Sequence, residues 1–203
     1  QVHTAVDLTF ANALRAMLRQ APNVVMLGEI RDFETATIAI NASLTGHLVF
    51  STLHTNDAPS AVTRLTDIGV KPFLIASATR CLMAQRLVRK ICPKCEVPTE
   101  PEKSELLALG LDPDNIKDPN FLAGKGCDKC NGTGHKGRFG LFEVFVVDDE
   151  SRKMIVDKVT TTDLRRRARE VGMRTLREDG ARKAVAGMTT ANEVLRVTVG
   201  DEN

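Results

Sequence analysis

Apolar and polar positions along this chain follow two periods, and the clearest passage is Val24 to Asp57. Val24-Val25-Met26-Leu27 is an apolar run without polar alternation, the pattern of a strand buried on both faces of a parallel sheet. Gly28-Glu29 ends the run, so a carboxylate stands at the strand's C-terminal end, where open α/β sheets bind ligands. Asp32 is placed to cap a helix. Phe33, Ala36, Ile40 and Leu44 then recur at helical spacing, and Gly46 is placed to stop it. A second apolar run, Leu48-Val49-Phe50, leads into the polar cluster Ser51-Thr52-Leu53-His54-Thr55-Asn56-Asp57. The order strand, helix, strand predicts two adjacent strands that bring Glu29 and His54 to one edge.

Before this passage, Phe10, Leu14 and Met17/Leu18 predict a helix running from Asp7 and closed by Pro22. After it, Asp57-Ala58-Pro59 reads as a helix start, with Val62, Leu65 and Ile68 on one face. A further helix is predicted from Pro72 through Leu82 and Met83, with Cys81 packed on its apolar side as a small hydrophobe. Gln85–Ile91 alternates as a strand with one exposed face. Residues 92–137 are polar and rich in Pro, Asp, Glu and Gly. Arg138–Val147 reads as a strand. Helices are predicted near 150–159, from Thr162, and over 176–186 with Gly187 as the stop, and a short amphipathic piece over 191–197.

Composition narrows the class. The chain has 203 residues, 42% hydrophobic and 27% charged, and carries a net charge of +2, values of a globular protein. Its small net charge gives no reason to expect a nucleic-acid partner. Without Trp or Tyr, it has few platforms for stacking bases. A run of about 18 apolar residues, as a membrane-spanning helix needs, is absent. Four of the five cysteines form two C-x2-C pairs, Cys92/Cys95 and Cys127/Cys130. Each pair offers two thiolates one tight turn apart, so together they provide four ligands for a tetrahedral structural Zn²⁺. This usage suits a reducing cytoplasm better than disulfides. His135 is a minor competing ligand. Gly132-Thr133-Gly134-His135-Lys136-Gly137 matches G-x-G-x-x-G but precedes a strand rather than a helix, so it reads as turn glycines of the zinc module.

Glu29 and the two histidines have the layout of a nucleotide hydrolase. There an acid at one strand end orients water or Mg²⁺, and a neighbouring strand presents a residue to the γ-phosphate. LGEIRD, TGHLVFSTLHTND and the two cysteine pairs, with QRLVRKICPKC, GRFGLFEVF and LREDGARKAVAGMTT, resemble the type II secretion and type IV pilus assembly ATPases over essentially the whole chain. The resemblance implies an α/β fold: the C-terminal portion of a RecA-like P-loop ATPase domain with a tetracysteine zinc module and a C-terminal helical region. Residues 1–91 would belong to the ATPase core, 92–137 to the zinc module and 138–203 to a strand and helices. It implies a hexameric motor using ATP and Mg²⁺, cytoplasmic and held at the inner membrane through platform or docking proteins. By it, Gly28 and Glu29 belong to the Walker B box, with Glu29 polarising the attacking water. His47 and His54 form the histidine box, His54 facing the γ-phosphate. Cys92, Cys95, Cys127 and Cys130 hold structural zinc, a site that the pilus-retraction ATPases lack. Arg31 and Arg64 are candidates for phosphate or intersubunit contact, with salt bridges to Asp32 or Asp67 as the alternative. Ala21 and Asn23 depart from the family's usual acidic residues.

The motif G-x-x-x-x-G-K-[ST] does not occur. The loop that cradles the phosphates is therefore expected upstream of Gln1, and the chain alone is expected to be inactive. The rival reading is a zinc-stabilised nucleic-acid-binding or protein-docking module. It is motivated by Arg165-Arg166-Arg167 and by the basic excess of residues 151–203, 12 Lys and Arg against 8 Asp and Glu.

Overall fold

The computed structural model describes residues 8–199. Two compact units share the chain. One takes in the described part of Gln1–Leu82 together with Phe145–Gly172, and the other that of Met83–Val144 with Met173–Asn203.

In the first unit, α1 (Phe10–Leu18) starts at Thr9, whose hydroxyl accepts from the Asn12 amide, and buries Ala11 and Leu14. Its predicted start at Asp7 lies outside the described residues. β1 (Val24–Met26) and β2 (Leu48–Phe50) pair in parallel, Val24 with Leu48 and Met26 with Phe50. Between them runs α2 (Phe33–Leu44), capped by Asp32 at the Thr35 amide. Gly46 leaves the helix at φ 103°, a conformation glycine adopts without strain. α3 (Ser60–Asp67) follows, with Asp57 capping the Ser60 amide, and then α4 (Pro72–Ala78). From the later part of the sequence, α6 (Asp149–Val156) and α7 (Thr161–Glu170) complete the unit. Arg152 of α6 donates to the carbonyls of Ala76 and Thr79, closing the C-terminal end of α4.

Two expectations fail here. The strands are not buried on both faces: Val25 is 1% exposed, but Val24 is 55%, Met26 62%, Leu48 50% and Phe50 52%. Among the described residues, the sheet has only these two strands, and nothing covers its outer face. Nor does the fourth helix reach Met83. Thr79 turns to extended backbone (ψ 129°), and β3 (Cys81–Ile91) begins two residues later. Cys81 thus sits exposed on a strand rather than buried on a helix. Helical spacing of apolar residues continued across a break that the backbone makes at Thr79.

β3 pairs with β6 (His135–Val146), and most of both strands belongs to the second unit. The ribbon is antiparallel, because Val147 bonds to Arg80 at one end and Cys92 to Gly134 at the other. Inside the stretch read only as a polar insert lie β4 (Glu96–Pro98), α5 (Lys103–Ala108) and β5 (Leu122–Gly124), with β4 and β5 antiparallel. α8 (Leu176–Val185) has a capping box at Thr175 and Glu178, and α9 (Ala191–Val197) closes the described chain.

Glu193 of α9 is a buried charge of this unit, its side chain 1% exposed. It accepts from the Arg89 amide (3.2 Å), from Arg89 Nε and Nη2 (3.0 and 2.7 Å), and from Arg196 Nη2 (2.6 Å). Burial pushes its carboxyl up, but the hydrogen bonds from Arg89 and Arg196 outweigh burial and hold it at about 2. Glu193→Gln is expected to lower stability by about 2 kcal/mol, since one partner of a buried charged network is lost. The folded value lies below the ordinary 4.5, so the Glu193 contribution is complete above that pH and disappears as pH falls toward 2. Urea unfolding across that range should show the gap between the two proteins narrow. A gap independent of pH would remove the charge from this account.

Candidate active site and metal centre

The strand ladder continues past β1 and β2. The Leu27 amide bonds to Phe50 O (2.8 Å), the Ile30 amide to Thr52 O (3.0 Å), and Thr52 Oγ1 donates to Gly28 O (2.6 Å). These bonds set the two strand ends side by side. His54 Nε2 then donates to Glu29 Oε2 at 2.9 Å, and Arg31 Nε donates to the same oxygen at 2.6 Å. Arg31 first, and His54 second, hold the Glu29 carboxyl below its ordinary range. Glu29 is therefore anionic at neutral pH, a third of its side chain open to solvent. A carboxylate in this state accepts a proton from a bound water or orients that water, and the two donors beside it suit an anionic group at the same edge.

The other predicted site residues separate clearly. Arg31 pairs with Glu29, not with Asp32. His47 lies at the opposite end of β2, where Nδ1 donates to Ala42 O (3.0 Å) and closes the C-terminal end of α2. Gly28 is exposed, and its carbonyl receives Thr52. Arg64 is exposed on α3 and, among the described residues, joins neither the Glu29 cluster nor Asp67. The arginine triplet is committed to carboxylates. Arg165 reaches Asp57 (3.1 Å), Arg166 reaches Asp163 (2.6 Å), and Arg167 binds Asp148 and Glu170. The triplet that motivated a nucleic-acid reading is thereby engaged with carboxylates of its own unit.

The second unit gathers Cys92, Cys95, Cys127 and Cys130, their sulphurs all within 4.8 Å of one another. Cys92–Cys127 is 4.0 Å, Cys95–Cys130 3.9 Å and Cys127–Cys130 3.8 Å. Disulfide sulphurs lie about 2 Å apart, whereas four sulphurs each about 2.3 Å from one zinc lie roughly 3.8 Å from one another. These three separations match those of a tetrahedral metal shell. Amides of Cys127 and Gly134 point at Cys130 Sγ (3.2 and 3.3 Å). Burial pushes the Cys130 thiol up, but these amide donors outweigh it and hold it at about 6; burial pushes Cys95 up to about 12. A sulphur already favoured as thiolate suits a metal ligand. His135 stays outside the cluster, its Nδ1 donating to Thr133 O. Two glycines of the false dinucleotide motif, Gly132 and Gly134, make turns as expected, whereas Gly137 lies inside β6; all three have positive φ, and a strand follows rather than a helix.

With this geometry in view, the relatives become informative. Residues 1–196 match the family described as type II/IV secretion system protein. The chain is 51% identical, over 98% of its length, to the type IV pilus assembly ATPase PilB of Thermus thermophilus, spanning 22% of that protein. It is 50% identical, over 98%, to the type II secretion system protein E of Pseudomonas aeruginosa, spanning 39% of it. Among solved structures, the pilus retraction motor PilT with bound ADP superposes with a TM-score of 0.63 at 25% identity, covering 93% of this chain and 43% of that one. The Legionella pneumophila ATPase DotB shares the fold at 22% identity, with a TM-score of 0.63 over 95% of this chain and 42% of that one. The chain thus spans well under half the length of these proteins.

Close backbone approach beside the cysteines sets a testable limit. A Cβ on Gly134 would lie 2.4 Å from Gly124 O, and its φ is 71°. Gly134→Ala is therefore expected to cost at least about 2 kcal/mol, read as a fall in the thermal unfolding midpoint. Gly28→Ala, with nothing within 4 Å of its Cβ and no positive φ, should leave the midpoint nearly unchanged. Equal effects of the two would contradict the packing described.

Proposed function

Because the chain belongs to the type II/IV secretion system protein family, we propose that it provides the hydrolysis side of an ATPase motor that drives type II secretion or type IV pilus assembly. The observation that carries this reading is the Glu29–His54 contact at 2.9 Å, made by residues that end two parallel strands. When bound, ATP would supply the transferred phosphoryl group and Mg²⁺ would neutralise charge on it. Glu29 orients the attacking water and draws its proton. His54 and Arg31, the donors already on that carboxylate, turn to the γ-phosphate. His47 fixes the start of β2 and with it the distance to His54. Gly28 keeps the strand end free of side-chain bulk. Arg64 remains a candidate for contact with a neighbouring subunit.

The RecA-like part of the proposal draws support from the bare sheet. β1 and β2 expose an apolar outer face, and a groove of about 280 Å³ runs beside β2, lined by Ile40, Val49, Phe50, Leu53 and Leu82 among others. Further parallel strands and helices of a larger P-loop domain would cover both. Residues 1–91 would then be the ATPase part, 92–137 the zinc module and 138–203 a strand and helices, of which 145–172 belong to the same compact unit as 1–82. Zn²⁺ held by the four cysteines would be structural, because four sulphurs leave no open position. The motor would be a cytoplasmic homohexamer, bound to inner-membrane platform or docking proteins. No helix among the described residues is long and apolar enough to cross a membrane.

In a form of the protein that turns over ATP, Glu29→Gln should still bind ATP, with turnover reduced on the order of 100-fold or more. Phosphate release measured at saturating ATP decides this, and normal turnover would exclude Glu29 from the role. The 203-residue chain by itself should release no phosphate above its own Glu29→Gln control. Elemental analysis of the purified chain should find one zinc per molecule, lost in Cys92→Ser, and chelation should lower the unfolding midpoint. A metal-free chain with an unchanged midpoint would reject the zinc assignment.

A further inference from the structure

The hydrolysis reading leaves the arginine triplet of α7 without a task, and its three guanidinium groups are not equivalent. Arg166 turns back to Asp163 on its own helix, and Arg167 holds Asp148 at the start of α6. Among the described residues, Arg165 alone of the three reaches the segment after β2. Its Nη2 donates to Asp57 Oδ2 at 3.1 Å, across 108 positions of sequence. The two side chains are only 25% and 15% exposed, so solvent and salt weaken this pair less than a surface bridge. Asp57 also accepts from the Ser60 amide (2.9 Å) and hydroxyl (2.7 Å). Thr63 and Thr161, with hydroxyls 2.8 Å apart, tie α3 to α7 a second time.

His54 sits inside the segment that these contacts end. Residues 51–57 form neither helix nor strand. The segment is tied at Thr52, to Gly28 and Ile30, and at Asp57, to α3 and α7. The His54 side chain itself is 76% exposed, and Glu29 is its hydrogen-bond partner. Little packing holds the ring, so its position depends on the anchors of its loop, Thr52 and Asp57 among them. We propose that Arg165 is a positioning residue for the Glu29–His54 pair: it fixes Asp57, and the loop from Thr52 to Asp57 then holds His54 within hydrogen-bond distance of Glu29. The inference rests on the reading of Glu29 and His54 as hydrolysis residues. It turns a basic triplet that resembled a nucleic-acid patch into a buttress of which one member bears on the site.

The ¹⁵N resonances of the His54 imidazole in the whole 203-residue chain, at one fixed pH, provide the test. Glu29→Gln gives the reference for a His54 without its carboxylate. Arg165→Met should move the His54 Nε2 resonance most of the way to that reference. Arg165→Lys, which keeps the charge, should recover much of the original position. Arg167→Met, which breaks another shielded bridge on the same helix, should leave His54 unmoved. An unmoved His54 in Arg165→Met overturns the proposal. Equal movement in Arg167→Met overturns it too, because α7 would then act only through overall stability. Should Arg165→Met not fold, Asp57→Asn keeps a capping acceptor and drops the charge, and it carries the same expectation and the same disproof. In a form that turns over ATP, Arg165→Met should lower kcat about tenfold with KM nearly unchanged. Normal turnover by Glu29→Gln would defeat the hydrolysis reading while leaving the imidazole result intact, so the two failures are distinguishable.

Discussion

Three-residue strands hold few hydrogen bonds, and β1 and β2 keep their register through bonds made beyond their ends. Thr52 is the centre of that extension, donating to Gly28 and accepting from Ile30. A slip of one residue would turn Val25 out of the core. It would also carry His54 about 3 Å along the strand direction, out of reach of Glu29. The pairing of one carboxylate with one imidazole therefore depends on strand register, and the register on a single threonine and its neighbours. Asp57 and Arg165 hold the far end of the same loop.

The second unit solves a different problem. Its residues 92–137 carry short elements and a modest core in which Leu106, Leu109 and two cysteines are the buried apolar residues. A region of that size buries too little apolar surface to be secure without a crosslink or a metal. Four sulphurs near 4 Å separation and two amides aimed at Cys130 provide the arrangement a metal needs. The glycines make that arrangement possible. Gly124 and Gly134 pass so closely that a Cβ on either would collide with the other's backbone. Here the sequence feature most easily mistaken for a nucleotide site is a packing requirement of the cysteine module.

Sequence periodicity located α1, α2, α3 and the helices after residue 148 because each carries its own cap and its own apolar stripe. Asp32, Thr160, Thr175 and Gly187 are local signals, and they act locally. The same logic failed between Ala78 and Met83, where apolar residues suited helix and strand equally and pairing with β6 decided for strand. It failed for β4, α5 and β5, whose polar sequences bear no strong period. It also misjudged burial of β1 and β2, since a continuous apolar run shows what a strand would bury and not what is present to cover it.

Residue types and their order were enough to pick out Glu29, His54 and the four cysteines, because strand ends and C-x2-C turns are local geometry. What only the tertiary structure decided was which of these groups meet. It turned the shared edge of Glu29 and His54, already expected from the order of the strands, into a direct contact; it gave Arg31 to that carboxylate and Arg165 to Asp57; and it left Arg64 apart. Contacts between residues 25 or 108 positions apart arise from strand register and helix packing, and no pattern within a window of sequence contains them.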